Sequence, residues 1–164
     1  MTIHKPEELP DLIPEGSRLL GLDVGSTTIG LAISDSRFRI ATTLTTVRRR
    51  KFADDAAQIA SIVAERNVGG LVVGLPLNMD GSEGPRAQSV RDFTRELLSR
   101  RDLFDRDLVV AFWDERMSTM AAQRIMIEEA DLSRKRRARS VDRMAAAYIL
   151  QGALDAIVNR LQEK

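Results

Sequence analysis

Residues 18–34 read RLLGLDVGSTTIGLAIS, in which two apolar runs are separated by a turn-forming segment rich in Gly, Ser and Thr. The first run, residues 19–24, is nearly continuous, which is typical of a strand buried on both faces. The second run, residues 29–34, follows a connection too short for a crossover, so the two strands are predicted to be antiparallel. Residues 40–47, rich in Thr and Val, extend them into a three-stranded antiparallel meander.

After the meander the chain alternates between helical and strand patterns. Apolar residues at the spacing i, i+3, i+4 and i+7 predict a helix around residues 56–63, and Gly69-Gly70 is predicted to end that unit. Two further strands are predicted at residues 71–75 and 108–113, and three further helices at about 86–100, 118–130 and 140 to the C-terminus. Such alternation implies right-handed parallel crossovers. The predicted fold is therefore α/β, a mixed five-stranded sheet of three antiparallel and two parallel strands with helices on both faces.

Composition bounds the possible functions. The 164 residues are enough for a single domain, which we place at residues 17–164 after a flexible leader at residues 1–16. The 25 basic and 24 acidic residues leave a net charge of +1, so any site for a polyanion has to be a local patch. Without cysteine, and with His4 as the single histidine, thiolate, Ser–His and multi-histidine metal chemistry are disfavoured. No segment resembles a signal peptide or a membrane span, so we expect a cytoplasmic protein.

Three acidic residues occupy positions where a carboxylate needs an explanation. Asp23 lies inside an apolar strand run, where it either caps the turn at Gly25 or binds a cation that offsets its charge. Glu115 directly follows a predicted strand, where sites gather in α/β sheets, but it could equally form a salt bridge with Arg116 or cap the next helix. Asp142 lies in the first turn of the last predicted helix, where the helix dipole alone would favour an acid.

Sequence spacing does not join these three acids, so only a fold could bring them together. Clustered carboxylates repel one another and take up protons unless a hard cation such as Mg²⁺ or Mn²⁺ lies among them. Such cations activate water and stabilise the leaving oxygen in phosphodiester hydrolysis. The residues alone therefore suggest a divalent-metal site and leave the structural explanations of each acid open.

Two other segments suggest contacts with phosphate. The glycine-rich segment 74–85 is predicted to be either a plain surface loop or a loop whose polar groups, Asn78 among them, help to hold substrate. A basic run that leads into Asp142 is expected to bind backbone phosphates, unless it is only a solvated charge run. Its cations are Arg134, Lys135, Arg136, Arg137 and Arg139. Residues 48–51 form a weaker basic candidate, and the turn at 25–30 lacks the Lys-Ser/Thr ending of a nucleotide P-loop.

Four segments together resemble one family. They are residues 20–30 (LGLDVGSTTIG), 73–84 (VGLPLNMDGSEG), 114–119 (DERMST) and 141–146 (VDRMAA). These segments are similar, in this order, to the YqgF or RuvX family of bacterial proteins. Its members are Holliday-junction-resolvase-like and are regarded as nucleases that mature the 5′ end of pre-16S rRNA. The resemblance runs from about residue 18 to residue 154 and implies a ribonuclease-H-like fold.

The resemblance also implies a role for each candidate residue. Asp23, Glu115 and Asp142 would be the catalytic residues and the ligands of Mg²⁺ or Mn²⁺, with Asp23 anchoring the metal and the other two orienting water. Arg116 would contact a phosphate or orient Glu115, and Asn78 and the basic run would bind substrate.

The function implied by the resemblance is that of a divalent-metal-dependent endonuclease acting on pre-16S rRNA. Its partners would be nucleic acid and the ribosome or its small-subunit precursor, with no membrane, and it would be a monomer or a weak homodimer. One alternative is a resolvase of branched DNA, which a stable dimer would favour because symmetric cleavage needs two active sites about a two-fold axis. Another alternative is a non-catalytic factor for ribosome assembly or transcription that binds rRNA.

Overall fold

The computed structural model describes residues 3–117 and 134–163, with side chains described for residues 3–117 and 143–162. The helix predicted at residues 118–130 lies outside the described residues. Six strands form one sheet: β1 (Ile3–His4), β2 (Arg18–Val24), β3 (Thr28–Ser34), β4 (Ala41–Arg48), β5 (Val68–Leu75) and β6 (Val109–Asp114).

The sheet is mixed and has the strand order β1-β6-β5-β2-β3-β4. Strands β2, β3 and β4 form the predicted antiparallel meander, and β5 and β6 extend the sheet in parallel from β2. The predicted mixed α/β fold is therefore confirmed. The sheet has six strands and not five because β1 pairs in parallel with the start of β6, through Ile3 with Val110 and His4 with Ala111.

The first 16 residues differ from the expectation of a leader without regular structure. After β1 come a short 3-10 helix (Pro6–Glu8) and α1 (Leu9–Leu12), and the side chain of Leu9 is completely buried. The segment packs against β5, where a Cβ atom on Gly69 would lie 3.0 Å from Cβ of Ile13. Gly69 and Gly70 were predicted to end a helical unit, but they lie within β5, and the missing side chain of Gly69 makes room for this segment.

Among the described residues, three longer helices cover the sheet: α2 (Phe52–Glu65), α3 (Pro85–Ser99) and α4 (Arg134–Glu163). Helix α3 lies within one residue of its predicted range, 86–100, and α2 includes the predicted residues 56–63 and extends beyond them at both ends. Helix α4 begins six residues before the predicted start at Ser140, so the basic run is part of it. Arg and Lys are good helix formers and nothing in the run would end a helix, so the charge pattern does not mark a helix boundary. Among the described residues, no helix has the length and apolar character needed to cross a membrane.

The hydrophobic core lies on both faces of the sheet, as adjacent residues of β2 show. Leu20 packs in a cluster with residues of α2 and α3, whereas Leu19 packs in a second cluster with residues of α4. Helix α4 approaches the sheet very closely, because a Cβ atom on Gly21 would lie 2.8 Å from Cβ of Leu150 and 3.0 Å from the carbonyl oxygen of Ala146. This packing aligns α4 along the face of the sheet on which the candidate site lies.

Candidate active site

Parallel pairing of β2, β5 and β6 places the carboxyl ends of these strands at one edge of the sheet. Leu22 of β2 is in register with Val73 of β5, and Leu75 of β5 is in register with Asp114, the last residue of β6. Asp23 therefore lies at the same edge as Glu115, which follows β6 directly and begins a 3-10 turn (Glu115–Met117). This edge is where binding sites form in open α/β sheets.

The two acids also share a face of the sheet. The neighbours of Asp23, Leu22 and Val24, belong to the core cluster on the α2 and α3 face, so strand alternation directs Asp23 to the α4 face. A Cβ atom on Gly74 of β5 would lie 2.7 Å from Oε1 of Glu115 and would clash with Cδ1 of Ile149 in α4. The Glu115 carboxylate thus lies over Gly74, between the sheet and α4.

Electrostatics reflect this proximity. Burial, the largest cause, acts with the charges of Asp23 and Asp114 to raise the pKa of Glu115 to about 7, against the opposing effect of the nearby Arg86 guanidinium. Glu115, whose ionisation is disfavoured by the nearby Asp23 carboxylate, forms with it a half-buried donor set suited to a hard divalent cation, whose charge would favour ionised Glu115. On this observation the residues present fit Mg²⁺ or Mn²⁺.

The third predicted acid, Asp142, lies in α4, one helical turn before Ala146, whose carbonyl oxygen approaches Gly21. The side chain of Asp142 lies outside the described residues, so its position in the site stays a prediction. The described side chains alone contain no group of three metal-ligating residues. The structure therefore brings together Asp23 and Glu115 and puts the backbone of Asp142 on the helix that covers them.

Arg116 is occupied by contacts within the chain. Its Nε lies 3.1 Å from each carboxylate oxygen of Asp114, its Nη2 donates to Asp114 Oδ2 at 2.7 Å, and its Nη1 donates to the carbonyl oxygen of Met79 at 3.1 Å. The pair lowers the pKa of Asp114 and raises that of Arg116. These contacts test neither of the two roles predicted for Arg116, which are contact with a phosphate and orientation of Glu115. They give Arg116 another role, which is to join the end of β6 to the loop after β5.

Asn78, predicted to bind substrate, makes hydrogen bonds within the loop after β5. Its Nδ2 donates to Ser82 Oγ at 3.0 Å, and its backbone N–H donates to the carbonyl oxygen of Ser82 at 2.9 Å. The five cations of the predicted basic run lie in the first turns of α4, before Asp142, and their side chains lie outside the described residues. Their role in substrate binding remains a prediction.

Two further arginines lie at this edge of the sheet. Arg86 lies in the first turn of α3, close enough to Glu115 to lower its pKa, and its only sequence signal is its position after the glycine-rich segment. Arg49, from the weaker basic candidate at residues 48–51, donates from Nη1 to the carbonyl oxygen of Gly25 at 2.7 Å, and its guanidinium lies 5.1 Å from the ring centre of Phe93. Arg49 therefore fixes the turn that follows Asp23.

Comparisons with known proteins identify the family of this chain. The family model RuvX, described as Holliday junction resolvase, matches residues 17–156. Relatives named "Putative pre-16S rRNA nuclease" include those of Rhodospirillum centenum, 54% identical over 157 residues (96% of this chain, 83% of the relative), and Roseobacter denitrificans, 58% identical over 145 residues (88% and 86%). The relative from Rhodospirillum rubrum is 49% identical over 164 residues, which cover all of this chain and 99% of the relative.

Solved structures share the fold at low sequence identity. Thermus thermophilus RuvC in complex with a Holliday junction substrate is 14% identical with a TM-score of 0.57, over 87% of this chain and 96% of that chain. The yeast mitochondrial Holliday junction resolvase Ydc2 is 11% identical with a TM-score of 0.51, over 96% and 87%. These likenesses identify the fold as that of the RuvC-like, ribonuclease-H-fold resolvases. The family match and the relatives' identities together show that the chain belongs to the RuvX family of nucleases.

Proposed function

We propose that this chain is a divalent-metal-dependent endonuclease that matures the 5′ end of pre-16S rRNA. The observation that carries the proposal is the meeting of Asp23 and Glu115 at one sheet edge, where burial and the charge of Asp23 raise the pKa of Glu115 to about 7. Two half-buried carboxylates that meet at the ends of neighbouring strands suit a cation that also binds phosphate.

Asp23, Glu115 and Asp142 are the residues that would hold Mg²⁺ or Mn²⁺, which supplies an activated water and stabilises the leaving oxygen when bound. Glu115 and Asp142 orient the attacking water through their carboxylate oxygens. Arg86, near Glu115, supplies positive charge for a substrate phosphate at the entrance to the site. The cations that precede Asp142 in α4 bind the flanking backbone phosphates and position the strand for cleavage.

The substrate assignment is supported by the names of the relatives, which span nearly the whole chain. Because pre-16S rRNA is processed where ribosomes assemble, we place the protein in the cytoplasm, acting on the ribosome's small-subunit precursor as a monomer or weak homodimer. The description of the family model favours a second candidate, cleavage of a branched DNA junction, which would require a dimer with two active sites.

The test is cleavage of a 5′-extended 16S precursor by the wild-type protein and by Asp23→Asn, Glu115→Gln and Asp142→Asn, with Mg²⁺, Mn²⁺ or EDTA. Asp107→Asn is the matched control, because Asp107 is an exposed acid at the opposite end of β6 from Glu115. We expect metal-dependent cleavage that is lost in the three site variants and kept in the control.

A four-way DNA junction is assayed alongside, together with the molar mass of the protein in solution. Cleavage of the junction alone by a stable dimer would replace the rRNA assignment with the resolvase. RNA binding without cleavage of either substrate would identify a non-catalytic rRNA-binding factor.

A further inference from the structure

We propose that Met79 packs against an unstacked base of the substrate beside the carboxylates, and that Asp114 and Arg116 hold the loop that presents it. The inference rests on the proposed function, since it assigns a contact with the nucleic acid that this site would cleave. It concerns residues 78–82, which we call the Met79 loop.

Met79 is exposed to an unusual degree. Its side chain is 92% accessible, whereas the other exposed large apolar residues among the described ones range from 45% to 64%. An apolar side chain that projects into water contributes no burial to the fold, so packing in the core does not explain a large residue here. A contact that forms only in a complex would bury it.

The Met79 loop is a turn stabilised by hydrogen bonds between its own residues. Across it, the Asn78 backbone N–H donates to the Ser82 carbonyl oxygen and the Gly81 N–H donates to the Asn78 carbonyl oxygen, both at 2.9 Å. Asp80 Oδ1 accepts from the Ser82 N–H at 2.9 Å and from Ser82 Oγ at 2.6 Å. Gly81 adopts a φ of +88°, which other residues rarely take. Because the backbone is already ordered, Met79 can bind a partner without a large entropic cost of ordering the loop.

The Asp114–Arg116 pair sets where the loop lies. Arg116 Nη1 donates to the carbonyl oxygen of Met79 itself at 3.1 Å, and a Cβ atom on Gly81 would lie 3.5 Å from Nη2 of the same guanidinium. Arg116 directly follows Glu115, the predicted catalytic carboxylate. Its hydrogen bond to Met79 therefore links the Met79 loop to the chain segment that carries Glu115. Asp114 and Arg116 act here as positioning residues.

The chemistry of the side chain selects the partner. A thioether is uncharged and polarisable, and sulfur makes favourable contacts with aromatic rings. Methionine is also among the side chains that proteins insert between nucleic-acid bases, where it contacts the exposed face of an unstacked base. Arg86 and Arg49 lie at the same edge and would attract the phosphate backbone, which would bring bases past the Met79 loop. A nucleic-acid base therefore fits this location better than an apolar protein surface.

The experiment compares Met79→Ala and Met79→Leu with wild type in cleavage of the naked 5′-extended 16S precursor. Ile40→Ala is the matched control: Ile40 is 64% exposed and precedes β4 at the end of the sheet opposite Asp23. We expect Met79→Ala to raise KM about three- to tenfold while kcat stays within about twofold of wild type. Met79→Leu keeps a large apolar side chain, so its KM should lie close to that of wild type. Thermal stability should be unchanged in all three variants, because each altered side chain is exposed.

A second readout is independent of catalysis. In a Glu115→Gln background, precursor RNA that carries 2-aminopurine next to the mapped scissile bond should gain fluorescence on binding, as its base unstacks. Adding Met79→Ala should abolish most of that gain, whereas adding Ile40→Ala should not.

The outcomes separate this inference from the proposed function. Wild-type KM and fluorescence in Met79→Ala, while Asp23→Asn is inactive, would overturn the role of Met79 alone. Full activity of Asp23→Asn would overturn the proposed function, and with it the basis for a substrate contact. If Met79→Ala cleaves naked RNA normally and is slow only on the assembled small-subunit precursor, Met79 contacts a protein and the base contact is wrong.

Discussion

The carboxylate of Glu115 lies directly over Gly74, with Oε1 only 2.7 Å from the position that a Cβ atom on Gly74 would occupy. The same position would clash with Cδ1 of Ile149 from α4. Gly74 thus leaves the space in which the predicted catalytic carboxylate rests between β5 and the helix. Close approach of this kind is a reason for glycine within a buried strand.

Gly74→Ala is therefore expected to displace both neighbours. Overpacking at such a site costs about 1–3 kcal/mol of folding free energy, and the shift of Glu115 should lower kcat at least about tenfold, since small misplacements of catalytic groups have large effects. Urea denaturation and cleavage of the 16S precursor measure the two effects separately.

Ile149→Val provides the control for Gly74→Ala because it removes Cδ1, the atom of Ile149 that a Cβ atom on Gly74 would meet first. The double variant Gly74→Ala/Ile149→Val should recover stability while its kcat stays low. Recovery of kcat along with stability would show that the position of Glu115 does not depend on Gly74.

Replacing Arg116 with Lys should loosen the Met79 loop. A lysine ammonium cannot reproduce the two-pronged contact with Asp114 and also reach the carbonyl oxygen of Met79. Because the Arg116 side chain is 36% exposed and its ion pair is reached by solvent, stability should fall by less than about 1 kcal/mol, but the amides of Gly81 and Ser82 should exchange hydrogen faster. Hydrogen exchange followed by NMR checks this.

Asp114→Asn tests the same connection from the other partner, since it removes the charge that holds the guanidinium. In Asp114→Asn the amides of Gly81 and Ser82 should likewise exchange hydrogen faster than in wild type. Unchanged exchange in both variants would mean that the turn is ordered by its own hydrogen bonds alone.

Gln151 is predicted to stabilise the junction between α4 and the start of β4. Its Oε1 accepts from the Ala41 N–H at 2.9 Å, and its Nε2 donates to the Arg39 carbonyl oxygen at 3.0 Å. Gln151→Leu removes both hydrogen bonds, of which the one to Ala41 is partly buried, and should cost about 0.5–1.5 kcal/mol in urea denaturation.

Gln88→Leu is the comparison for Gln151→Leu. Gln88 makes an exposed side-chain contact with Asp92 at 2.9 Å on α3, a type of helical pair that contributes about 0.2–0.5 kcal/mol. Equal losses in the two variants would contradict a specific role for Gln151.

Asp35 should make stability depend on pH in the acidic range. Partial burial opposes its ionisation, but hydrogen bonds from several backbone amides, those of Ile40 and Arg39 foremost, together outweigh that effect and lower its pKa below 3.8. A lowered pKa in the folded state stabilises the fold above the unfolded value of 3.8, and this contribution is lost as the pH falls through the folded pKa.

Asp35→Asn should therefore be less stable than wild type at neutral pH, with a difference that shrinks as the pH drops below 3.8. Urea denaturation at several pH values measures it. A difference that stays constant across this range would show that Asp35 contributes as a hydrogen-bonding group in either protonation state, and not through its charge.

Local pattern was enough to predict most of the sheet. Residues 19–34 carry both strands of the central hairpin and the short turn that makes them antiparallel, and the observed strands agree within one residue. Apolar periodicity located α2 and α3 in the same way, because each helix buries one stripe against the sheet. The position of Asp23 inside an apolar run also marked it as unusual before any fold was known.

Segments that depend on distant partners were beyond the reach of local pattern. The N-terminal segment has no periodicity of its own, and it is ordered by packing against Gly69 and by pairing of β1 with β6. The start of α4 was placed too late because a run of cations is compatible with both a loop and a helix.

The sequence by itself determined the residue types available for chemistry and the strands that carry them. Without cysteine and with one histidine, carboxylates are the chain's candidate metal ligands, and Asp23 and Glu115 each stand at a strand end. Only the tertiary structure decided that these two acids, 92 residues apart, share one edge and one face, and that Arg116 reaches back 37 residues to Met79. The physical reason is that β-pairing and helix packing act between segments far apart in the chain, so no local pattern encodes which distant side chains will meet.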